Sequence, residues 1–336
     1  MAKKEINTGA MALLKNKVFR SITRSKTPIF MLLMIYIVMI IIFSSLSKNY
    51  ITIGNFKCIA VNMGVVGIVS AGVVIVMIAG GFDLSVGSLV GLTGVAIAKF
   101  FRLGIDLPIP VIILLALCIG AFLGAINGII VTKLGINPLI TTLGTLAVMR
   151  GLAYIWADQV ARIFNPTYSL IGQGFLKNTI PYTLIYLLVI FAALAVLLKF
   201  TRFGRNIYLT GGNEHLARLA GVNTNRIKLL SYIISGIFCA CAAMVLTSQL
   251  GSGRPEYGTG LELEVVIIIV LGGVTVGGGK GNYLGTFISL LILSSIINGL
   301  VLVGVESFTR SVIKGSLLIF AISLDAINNR AKRFQY

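Results

Sequence analysis

Asp83 stands in the string IAGGFDLSVGS, residues 78–88, with long apolar runs on either side. A carboxylate in such surroundings is costly unless something pairs with it. Three roles fit it: a group on a solute pathway, a clamp on an interrupted helix, or an N-cap for a helix resuming at Leu84. Glu262 and Glu264 precede another apolar run, where acids suit the positive first turn of a helix. Asp158 and Glu256 fall in polar loops. Asn62, Asn127, Asn137, Asn298, Thr141, Thr142 and Ser294 lie inside apolar runs, and such groups either meet a solute hydroxyl or hydrogen-bond between helices.

Other chemistries are missing from the sequence. His215 is the one histidine, so no histidine-based metal site is expected. Cys58, Cys118, Cys239 and Cys241 all sit in apolar runs and read as small hydrophobes. GGVTVGGGKG, residues 272–281, has Gly281 where a phosphate-binding loop needs Ser or Thr, and Val274 where it needs Gly. Neither a GxSxG elbow nor an HExxH helix occurs. The expectation is a protein that is not an enzyme and binds no cofactor of its own.

A polar interruption, KFTRFGRNIYLTGGNEHLARLAGVNTNRIK, spans Lys199 to Lys228. Asn213 can cap a helix beginning at Glu214, whose charge suits the first turn, and Gly221 stands where a C-cap glycine would end it. Leu216, Ala217, Leu219 and Ala220 give this short helix an apolar side, with His215 and Arg218 pointing elsewhere. Two turns are a poor membrane anchor, so the helix is expected to enter a groove on a partner protein.

The elements that position these groups follow from composition. The 336 residues are 57% hydrophobic and 11% charged, against about 25% charged in soluble domains, so the expected solvent is lipid bilayer. About ten windows are apolar enough to span: 28–46, 56–78, 84–101, 108–132, 139–157, 181–200, 229–250, 263–276, 283–303 and 309–328. The expected fold is an all-α polytopic membrane protein with both termini cytoplasmic. Residues 1–27 form a basic N-terminal segment with an uncleaved first span after it. Residues 28–328 form one transmembrane domain, and residues 329–336 a basic tail. The net charge of +18 then reflects cytoplasmic loops, and no nucleic-acid partner is expected. Lys133, loop 201–228 and Lys280 fall inside, while loops 158–180 and 251–261 fall outside.

Glycine interrupts the spans in two ways. Gly120, Gly124 and Gly128 recur every four residues and read as a close helix contact. Residues 78–88 and 270–281 instead read as helix breaks that resemble each other weakly, Gly80–Gly81 matching Gly272–Gly273. Broken helices in matching positions mark transport pathways. Gly81, Asp83 and Ser85 in the first break, Gly273 and Thr275 in the second, and Asn62, Asn127 and Asn298 in the spans are therefore pathway candidates.

Three of these strings carry a family resemblance. GGNEHLARLAGVNTNRIK, GFDLSVGS and GTGLELEVVIIIVLGGVTVGGGKGNYLGT resemble, in order and spacing, hallmarks of the ribose-type permeases of bacterial ABC importers, over about Ile51 to Asp325. The leader Met1–Lys26 matches nothing in that family. The resemblance implies a plasma-membrane subunit that pairs with a second permease copy or a sister permease. It implies a two-domain cytoplasmic ATPase that uses the ATP, and an extracytoplasmic sugar-binding protein. Asn213, Glu214, Ala217, Arg218 and Gly221 would belong to the helix that couples to the ATPase. The family's solutes include ribose and related monosaccharides, nucleosides and furanosyl signalling molecules, and the motifs do not sort these. A stand-alone secondary transporter is the rival from the residues alone.

Overall fold

The computed structural model describes residues 27–102, 107–157 and 161–333. The basic leader Met1–Lys26, Asp158 and the last three residues of the tail lie outside the described residues. In chain order the helices are α1 (Thr27–Leu46), α2 (Ile53–Ile78), α3 (Val86–Arg102), α4 (Ile109–Lys133), α5 (Pro138–Trp156), α6 (Pro166–Gln173), α7 (Tyr182–Phe200), α8 (Arg202–Gly212), α9 (Glu214–Leu219), α10 (Thr224–Leu250), α11 (Leu261–Leu271), α12 (Tyr283–Leu302) and α13 (Ser307–Arg333).

Seven of them are long and apolar enough to cross a membrane: α1, α2, α4, α5, α7, α10 and α12. Each of the ten windows read from the sequence falls on a helix, but three do not meet both criteria. Helix α3 has 17 residues. Helix α11 has 11, a rise of about 16 Å or half a bilayer. Helix α13 is long but carries Arg310, Lys314 and Asp325 among its apolar residues. Window 263–276 runs past the helix because Gly272 and Gly273 end it.

Helix α10 is the centre of the bundle and packs on α4, α2, α3 and α6. The glycine seam expected on α4 makes the closest of these contacts. A Cβ on Gly120 would lie 2.7 Å from the Ala240 Cβ, and one on Gly124 would lie 3.0 Å from the Tyr232 carbonyl carbon. The two backbones therefore touch where any side chain would separate them. Helix α2 is buried along most of its length. Large apolar residues on α1, α5 and α13, such as Phe30, Ile155 and Phe308, point outward at 66%, 75% and 84% exposure, as a lipid-facing surface requires.

Two small antiparallel ribbons tie the loops. Strand β1 (Ala161–Arg162) pairs with β4 (Ser252–Gly253), which follows α10. Strands β2 (Phe175–Leu176) and β3 (Ile180–Pro181) form a hairpin. Its turn residues Lys177 and Asn178 both have positive φ, the geometry that matches strand twist.

Candidate functional site

Helix α2 stops in a glycine cap. Gly80 takes φ +80°, and the amides of Ala79, Gly80 and Gly81 donate to the carbonyls of Ile75, Met77 and Val76. Helix α11 stops the same way: Gly273 has φ +88°, and the amides of Gly272, Gly273 and Val274 donate to Ile268, Val270 and Ile269. The structural equivalence therefore pairs Gly80 with Gly273 and Ala79 with Gly272, one residue away from the alignment read in the sequence. In each cap only one residue is left-handed, and that residue is glycine.

Asp83 lies in the first break and is 2% exposed. Its Oδ1 accepts from the Ser85 amide at 3.1 Å and the Ser85 hydroxyl at 2.7 Å, and its Oδ2 accepts from the Ser235 hydroxyl of α10 at 3.1 Å. Asn127 of α4 donates to the Ser85 hydroxyl at 2.8 Å. The Tyr232 hydroxyl donates to the Phe82 carbonyl at 2.9 Å. Helix α3 starts at Val86, and it is the Ser85 carbonyl that receives the Leu89 amide. Asp83 is thus not the cap of a helix starting at Leu84. It is a clamp that ties the break to α10 and, through Ser85, to α4.

Residues 272–282 form the second break. The Thr275 hydroxyl donates to the Gly278 carbonyl at 2.8 Å, and the Thr275 amide to the Lys280 carbonyl at 3.1 Å, which closes a tight loop. This loop meets the first break directly, because the Gly279 amide donates to the Ile78 carbonyl at 2.8 Å. A Cβ on Gly278 would lie 2.6 Å from the Gly80 Cα. The end of α8 completes the junction. A Cβ on Gly211 would collide with the Ile78 carbonyl oxygen and lie 2.6 Å from the Gly279 nitrogen. Tyr208 of α8 also donates to the Gly281 carbonyl at 3.1 Å. Three backbone segments therefore interlock through glycine at one point.

Helix α9 begins three residues beyond Gly211. Asn213 accepts the Leu216 amide at 3.0 Å, and Gly221 leaves the helix at φ +79°, as its capping residues predict. Ala217 is buried, while Leu216 and Leu219 are 59% and 73% exposed. Glu214 fastens the helix to its surroundings. It accepts from Arg218 at 2.7 Å, from Lys228 at 2.6 Å and from Thr224 at 3.1 Å. Glu214 and Arg218 thus hold α9 against the start of α10, and the two leucines are left outward.

Partial burial raises the Glu214 carboxyl, but Lys228, Arg218 and Thr224 outweigh it and hold it below the usual carboxylate range. A depressed acid stabilises the folded loop fully above its unfolded pKa, about 4.3, and that contribution is lost as pH falls through the lower folded value. Glu214→Gln is expected to speed opening of α9 at pH 7 by about two- to fivefold, the range of exposed ion pairs. The difference from wild type should shrink as pH falls below about 4.3 and vanish below the lower folded value. Hydrogen exchange of the α9 amides, corrected for the intrinsic pH effect, measures it, and equal rates at pH 7 would refute this role.

The structure gathers Gly81, Asp83, Ser85 and Asn127 into one cluster and places Gly273 and Thr275 in the loop beside it. Asn62 is separate, on an exposed face of α2, and Asn298 stands on α12 with its carbonyl oxygen unpartnered among the described residues. Tyr232, Ser235 and Arg150 are not found from the sequence. Tyr232 and Ser235 are polar residues three apart, and so on one face, in an apolar helix. Arg150 is an arginine inside a span. It donates to the carbonyls of Pro255 and Tyr257 and pins the loop before α11.

The ribose import permease RbsC of Escherichia coli (strain K12) is 36% identical over 293 residues, 86% of this chain and 91% of that protein. RbsC of Bacillus subtilis (strain 168) is 36% identical over 86% of this chain and 89% of its own length. The galactose/methyl galactoside import permease MglC of E. coli is 32% identical over 89% and 95%. No solved structure matches the chain. The apolar helices and these relatives together make it a multi-pass protein of the inner membrane. The family described as the permease component of the branched-chain amino acid transport system matches residues 55–322, and the chain belongs to that family.

Proposed function

We propose that this chain is the membrane-spanning permease subunit of a binding-protein-dependent importer for a monosaccharide. In this reading the two Gly-rich breaks lie within a ten-crossing domain with cytoplasmic termini, and α9 couples them to a separate two-domain ATPase. A loaded binding protein delivers the solute from outside. A second permease completes the pathway, and ATP closure draws the two α9 helices together to switch it from outward to inward opening.

The observation that carries the proposal is the link from α9 to both breaks. A two-turn helix with bare leucines needs a protein groove, and the residue three positions before it, Gly211, sits in backbone contact with Ile78 and Gly279. Movement of α9 is therefore passed to both breaks without a side chain between them. The relatives named for ribose and galactose import support a monosaccharide as the solute.

Reconstitution tests it. Proteoliposomes holding this chain, its ATPase and its binding protein should accumulate radiolabelled D-ribose or D-galactose only when ATP and both partners are present. Uptake by the chain alone would instead make it a secondary transporter, and uptake of L-leucine but neither sugar would remove the monosaccharide assignment.

A further inference from the structure

At the end of the bundle away from α9, a cleft of about 280 Å³ opens between α2, α10 and α11. Its polar wall is built from Asn62, Gln249, Thr259 and Glu264, and its apolar wall includes Val65 and Leu261. We infer that this cleft is a hydroxyl-binding site for the transported monosaccharide on the outer half of its route. The inference rests on the importer reading above.

Depth is the first argument. Asn62 lies nine residues into α2, about 14 Å along its axis, inside a span of high hydropathy. It is nevertheless exposed and has no hydrogen-bond partner among the described residues. Gln249 reaches only the Val61 carbonyl, at 3.5 Å, the outer limit of a hydrogen bond. Unsatisfied amides facing hydrocarbon cost several kcal/mol each. This flank therefore faces water or a polar solute.

Chemistry selects the solute. A carboxamide offers two donors and an acceptor, which suits hydroxyl groups that both give and take hydrogen bonds. Glu264 is paired with Lys314, so an ionic solute finds no uncompensated charge, and a zwitterion would have to break that pair. The volume equals the room of about nine waters at roughly 30 Å³ each, enough for one five- or six-carbon sugar. Val65 and Leu261 supply the apolar surface that the C–H face of such a ring covers.

The test uses the complete importer in proteoliposomes, with D-ribose and D-galactose as probes. Asn62→Leu and Gln249→Leu should each lower uptake of whichever sugar the wild type carries by fivefold or more. The loss should fall on KM, with the amount of chain in the membrane unchanged, and Asn62→Gln should recover part of it. Asn62→Ala serves the same purpose if the leucine variant is not inserted. If the wild type carries a sugar and the variants lose less than fivefold, or lose it in Vmax alone, the cleft is not the site. If the wild type carries neither sugar, it is the monosaccharide reading itself that fails.

Discussion

Gly211→Ala lowers ATP-driven uptake by about fivefold or more, whereas Gly212→Ala, one residue later, leaves it close to wild type. The two substitutions have the same chemistry and both fall at the end of α8, so their effects on helix propensity are alike, within about 1 kcal/mol. They differ in what the new methyl meets. At Gly212 the nearest atom would be the Gly279 Cα at 4.0 Å, an ordinary contact. At Gly211 the methyl would enter the space between the Ile78 carbonyl and the Gly279 amide, which are joined by a 2.8 Å hydrogen bond. Neither group is a side chain that can rotate away. The end of α8 must lift off both breaks, at the cost of about 1–3 kcal/mol typical of overpacking, equivalent to about fivefold to more than a hundredfold in the population of the joined state. Uptake per amount of inserted protein measures the effect, with ATP hydrolysis followed alongside. Equal uptake by the two variants would show that the junction does not transmit movement. Gly279→Ala gives a second view, since it adds a collision 2.5 Å from the Gly212 nitrogen to a backbone already at φ +71°.

That junction also marks where sequence reasoning reached its limit. Helix α9 was legible because its signals are local: Asn213, Glu214 and Gly221 fix its start, first turn and end within a few residues. The α4 seam was legible because a four-residue glycine repeat has one meaning on a helix face. The two breaks were legible as interruptions, but their register was not, because paired glycines do not say which member takes positive φ. The meeting of Gly80, Gly211 and Gly278 depends on segments about 70 and 130 residues apart, and no periodicity carries that information. The role of Asp83 was decided in the same way, by Ser235 on a distant helix. The end of the eighth window was misplaced at α11, where β-branched residues keep hydropathy high after the helix has stopped.

Leu216 and Leu219 carry the last expectation, and their surroundings decide how to read it. Leu216→Glu together with Leu219→Glu is expected to abolish co-purification of the ATPase and, with it, uptake. Each leucine buried in a partner groove contributes about 1.5–3 kcal/mol, so losing both weakens docking by about a hundredfold to more than ten-thousandfold. The fold itself should be untouched, because both side chains are exposed in the free chain and exposed substitutions shift stability by about 0.5 kcal/mol or less. Ala217→Glu is the contrasting variant. Ala217 faces inward at 3% exposure, so a charge there displaces α9 itself and should lower the melting temperature of the isolated chain. The double variant also separates two resting places for the helix. If α9 lay on the membrane surface, glutamates would release it into water while the ATPase still co-purified. A groove-bound helix loses the ATPase at once, because the same two side chains that leave the bundle uncovered are the ones the partner must cover.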